Sequence, residues 1–216
     1  MESQKITEEQ LKSALCEVRK AHRLIYEYQR RMQDLTWFIK NKLGFPDYDG
    51  YKKFTDPLKS GKDFMNKINV DNWSWDWIYT YVYEYFLGEQ KKENSKWLLS
   101  IIQISDTGYY KREDAEQTKI TSFAPTIESE SKLIFYLSVV TKDIKNDYCW
   151  NPDKIIEQYV NEVSPIIIKN SPCVQIVYPI SLSKFINEKA TMKILQDFVK
   201  YCNENAPTNL IIQGQE

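Results

Sequence analysis

Residues 7–43 read TEEQLKSALCEVRKAHRLIYEYQRRMQDLTWFIKNKL, and this stretch organises the rest of the chain. Thr7 followed by Gln10 has the form of a capping box: the hydroxyl takes the amide three residues on, and the amide side chain reaches back. Gly44 and Pro46 supply the stop. Between these signals Leu11, Leu15, Val18, His22, Ile25, Gln29, Met32, Thr36 and Ile39 recur at alternating spacings of four and three. A mean period of 3.5 over several heptads is the coiled-coil pattern. At 1.5 Å per residue the helix would run roughly 55 Å, longer than a domain of this size is wide. Part of it is therefore expected to pack on something beyond its own domain. The expected interface is Leu11, Leu15, Val18, His22, Ile25, Met32 and Ile39, with the polar His22 setting the register.

Downstream of the helix, residues 44–70 are rich in turn formers and lysine and read as a connection. Residues 73–87, WSWDWIYTYVYEYFL, then place an aromatic residue at every odd position from Trp73 to Tyr85. Alternation of that kind predicts a strand, although a buried helix from Asp71 to Gly88 would be apolar nearly all round as well. A polar turn at 88–95 and a second strand at 96–105 complete a hairpin. Further strands are expected at 132–141 and 173–180, with a short edge strand at 210–212. Helices are expected at 151–163, where Asn151-Pro152 opens the first turn, and over 182–203. The class is α+β: a long N-terminal amphipathic, coiled-coil-like helix, then a mainly antiparallel sheet of four or five strands with C-terminal helices on one face. The division is 1–44 as association element, 45–70 as connection and 71–216 as α+β domain.

Composition narrows the chemistry. The 216 residues carry 29 Lys+Arg and 30 Asp+Glu with one His, so no global field recruits a polyanion. With a single histidine and four widely spaced cysteines there is no metal-ligand pattern, and no glycine-rich phosphate loop occurs; no cofactor is expected. The N-terminus lacks the layout of a signal peptide, and the most apolar window, 73–87, is too short for a bilayer and holds Asp76 and Glu84. These readings point to the cytoplasm, no membrane, and Cys16, Cys149, Cys173 and Cys202 as reduced thiols.

Three other groups carry candidate chemistry. Lys12, Arg19, Arg23 and Arg30 fall within about 40° of one another on a helical wheel, opposite the seam, where a nucleic-acid phosphate track would sit. Glu8 and Glu27, one turn before Lys12 and Arg31, favour a solvated face and argue against nucleic acid. The aromatic stripe Trp73, Trp75, Trp77, Tyr79 and Tyr81 offers a stacking platform for a ligand, against the commoner role of a sheet's inner face. Asp106 with Glu130 and Lys132 resembles the acid and lysine set of a metal-dependent hydrolase or nuclease, a combination that chance also produces in a charged chain. The function expected from all of this is a non-catalytic accessory or adaptor subunit. Its N-terminal helix would bind protein, as a second copy or a partner helix.

Overall fold

The computed structural model describes residues 6–55, 78, 80–92, 95–112, 119–141 and 149–214. It contains three α-helices and a six-stranded antiparallel sheet in these residues, which confirms the α+β class. The elements are α1 (Glu8–Leu43), β1 (Asp49–Lys52), β2 (Val82–Lys92), β3 (Ser95–Ile104), β4 (Lys132–Val140), α2 (Pro152–Tyr159), β5 (Ile166–Asn170), β6 (Cys173–Ser181) and α3 (Glu188–Asn205). The chain divides into two compact units, Met1–Phe38 and Ile39–Glu216, and the division falls within α1.

The ends of α1 are those read from the sequence. The Thr7 amide donates to Gln10 Oε1 at 2.9 Å and the Gln10 amide to Thr7 Oγ1 at 3.2 Å. At the far end Gly44 takes φ +69°, and the Phe45 amide returns to the Lys40 carbonyl in the six-to-one bond of a Schellman turn.

The sheet order is β1-β2-β3-β4-β6-β5, so β2, β3, β4 and β6 are interior and the late hairpin β5–β6 supplies one edge. The central strand β4, KLIFYLSVV, is buried at every position but its last. An antiparallel strand with one wet face would alternate; a continuous apolar run means that both faces are covered. On one face Val82, Ile102, Ile104, Ile134, Tyr136 and Val177 form a cluster with Ile155, Ile156 and Val160 from α2 and the residue after it. On the other, Phe198 of α3 meets Phe135 edge-on at 5.0 Å and Tyr178 at 5.5 Å. The helices thus lie on two faces, where the sequence reading placed them on one. Asn151 and Asn187 cap α2 and α3, their side-chain oxygens accepting from the Lys154 and Ala190 amides.

Several element bounds move. Strand β2 starts at Val82 and continues through Gly88 to Lys92, consuming most of the expected polar turn. Its register against β3 shifts between Phe86 and Gly88, and Gly88 sits at φ +98°. A side chain there would also collide with the Asp47 carboxylate, so the bulge requires glycine. Strands β1 and β5 were not expected, residues 210–212 form no strand, and α2 ends at Tyr159. The strand or helix alternatives for 73–77 lie outside the described residues, as does most of the connection at 56–70.

Candidate interaction surface

The seam of α1 changes character along its length. Leu11, Leu15, Val18 and Ile25 are 51, 46, 49 and 39 % exposed, and His22 is exposed among them. Leu24 and Tyr26 beside them are exposed as well. Met32, Thr36 and Ile39 are buried, so the accessible seam ends near Ile25 and Met32 and Ile39 offer no free surface. Thr36 satisfies its hydroxyl within the helix by donating to the Met32 carbonyl at 2.8 Å.

Polar residues around the bare seam are partly paired along the helix. Lys12 meets Glu8 at 2.5 Å, Lys20 meets Glu17 at 2.9 Å and Arg30 lies 3.7 Å from Glu27. Arg19 and Arg23 enter no ion pair among the described residues. The basic stripe is not opposite the seam. Lys12 and Arg19 directly follow the seam residues Leu11 and Val18 and so border it on one flank, while Ala14 and Ala21 border the other.

The other sequence candidates resolve differently. Trp73, Trp75, Trp77 and Tyr79 lie outside the described residues. Tyr81 is buried, its ring 4.4 Å from that of Phe54, and its hydroxyl accepts the Tyr109 amide at 3.3 Å. Burial and then the Asp106 carboxylate push its phenol well above the ordinary range, so it stays neutral in the core. Glu130 and Lys132 come together at 3.3 Å, yet the Lys132 ammonium is buried and also donates to the Glu162 carbonyl. The Asp106 carboxylate accepts the Gly108 amide at 2.7 Å, the role of a turn residue. Among the described residues no group of three His, Cys, Asp or Glu side chains could hold a metal ion.

Sequence reasoning missed a buried polar cluster in the sheet unit. Glu84, 2 % exposed, accepts from the Ser100 hydroxyl at 2.5 Å and pairs with Lys53 at 3.1 Å; Lys53 also reaches Asp153 at 3.3 Å. Burial alone would lower the Lys53 pKa, but Glu84 and then Asp153 outweigh it and hold the ammonium above its usual value. Glu84 amid aromatic strand residues was the one available signal, since an unpaired carboxylate there would be prohibitively costly.

The cysteines also depart from expectation. Cys149 and Cys173 form a disulfide across a Cα separation of 6.1 Å, while Cys16 and Cys202 are free. The Cys202 thiol is buried, which pushes its pKa far up and makes it inert. The disulfide borders a cleft of about 440 Å³ lined also by Asn151, Lys154, Tyr159 and Gln175. The Cys149 carbonyl is a hub there, accepting from the Tyr136 and Ser138 hydroxyls and from Gln175.

A family description named PM0109 matches residues 8–209, from the first residue of α1 to the tail beyond α3. The chain belongs to the PM0109 family. No curated protein and no solved structure matches it. The PM0109 region takes in both the exposed seam of α1 and the whole six-stranded sheet. No helix among its described residues is long and apolar enough to cross a membrane.

Proposed function

We propose that this PM0109-family protein is a non-catalytic assembly or adaptor subunit, and that residues 8–27 of α1 pair with another helix. One observation carries the reading: Leu11, Leu15, Val18 and Ile25 keep heptad spacing on a capped helix and stand exposed. Scattered exposed apolar side chains need no explanation, but a periodic row of them on one helix face marks an interaction site. The stability of the sheet unit does not account for the row. Its core is filled on both faces by its own helices α2 and α3. The subunit acts in the cytoplasm in this reading.

The test is the double substitution Leu15→Asp plus Ile25→Asp. It is expected to lower the solution mass by light scattering, or to abolish capture of the partner helix, with the near-UV spectrum of the sheet unit unchanged. A folded double variant with the mass and binding of the unsubstituted protein overturns the reading.

A further inference from the structure

We infer that the partner of the α1 seam is a foreign helix bearing Asp or Glu along the edge that faces Lys12, Arg19, Arg23 and Arg30, and is not a second copy of this chain. The inference rests on the helix-pairing reading and adds to it the chemistry of the occupant.

The argument is charge complementarity. In heptad terms Leu11, Val18 and Ile25 are d positions and Leu15 and His22 are a positions, so Lys12 and Arg19 occupy e, and Ala14 and Ala21 occupy g. Residues at e and g choose the partner because they cross the seam. In a parallel pair of identical helices each e residue faces a g residue, so Arg19 would meet Ala14, a methyl group with no charge to offer. In an antiparallel pair e faces e, which sets Lys12 and Arg19 against the same cations of the copy. Glu8, one heptad before Leu15, is held by Lys12, and Glu17 and Glu27 do not change this. Glu17 and Glu27 stand at outer positions and are held 2.9 and 3.7 Å from Lys20 and Arg30. Arg23, next outward from Arg19 on the same flank, is without an ion pair among the described residues, as is Arg19. Two uncompensated guanidinium groups beside an exposed apolar row favour a carboxylate-edged helix and disfavour self-pairing, the two halves of specificity.

The test uses the full chain and two synthetic heptad peptides with identical Leu and Ile seams, one carrying Glu at every flanking position and one carrying Lys. Binding is read by fluorescence anisotropy in 50 and 300 mM NaCl, and helicity by circular dichroism. The Glu peptide is expected to bind about tenfold more tightly than the Lys peptide, with the preference shrinking at high salt. Arg19→Glu plus Arg23→Glu, exposed and at helix-compatible sites, is expected to reverse the preference without loss of helix. Equal binding of the two peptides, or a preference indifferent to that double substitution, overturns the acidic partner. A homodimer by light scattering overturns it too while leaving helix pairing intact. A monomer that binds neither peptide overturns the pairing reading along with it.

Discussion

The first turns of α1 and the central strand β4 use the same ingredients to opposite ends. Both are rich in Leu, Ile and Val, at heptad spacing in α1 and as a continuous run in β4. In β4 every one of these side chains but Val140 is buried between α2 on one face and α3 on the other, whereas Leu11, Leu15, Val18 and Ile25 of α1 remain in water. Apolar periodicity states that a face wants covering, and only the tertiary structure states whether the chain covers it itself. A face left bare on a well-capped helix is where the proposed partner helix would lie.

Four measurements sharpen or break that contrast. The largest effect is expected at the polar cluster inside the sheet unit. Lys53→Met leaves Glu84 buried and unpaired and should cost about 3–5 kcal/mol in urea unfolding, most of it restored by adding Glu84→Gln. Full additivity of the two changes would mean that the pair is not coupled.

The next is one substitution made in both regions. Leu137→Ala in β4 removes a side chain with no exposed surface and should cost about 2–5 kcal/mol, while Leu15→Ala on α1 should stay within about 0.5 kcal/mol. A comparable loss at Leu15 would show that the seam is already filled in the purified protein.

Removal of the α3 cap by Asn187→Ala should follow, at about 1 kcal/mol, because the Ala190 amide loses its acceptor. The smallest effect at neutral pH is the alkaline limb. The Tyr136 phenol is pushed up to about 12, by burial foremost, with Glu84 adding to it and the Asn151 amide opposing. Lys53 is likewise held above its ordinary value. Groups whose folded pKa is raised contribute fully below their unfolded pKa and lose that contribution as pH climbs through the folded value. Stability should therefore be flat through neutral pH and fall between about pH 10 and 12, and Tyr136→Phe should flatten the fall. A loss confined to acid would contradict the assignment.

Much of the architecture was legible because local chemistry wrote it. Thr7 and Gln10, Gly44 and Asn151-Pro152 mark helix ends through bonds made close by in the chain, and β3, β4 and β6 are long apolar runs. Strands β1 and β5 escaped because DGYK and IIIKN are short, and each becomes a strand only through a neighbour already in place, β2 for one and β6 for the other. The Lys53 cluster escaped for a related reason: its members are 16 and 100 residues apart along the chain, and pairing, not composition, makes them a unit.

The amino-acid order alone determined the long heptad helix, its caps and the apolar row that runs along it, because 3.5-residue spacing and capping are properties of neighbours in sequence. Which stretch of that row is buried and which is bare, that Cys149 meets Cys173, and that both faces of the sheet are roofed were decided only in the tertiary structure. Burial is a relation between segments distant in the chain, and no local pattern encodes how many of them arrive.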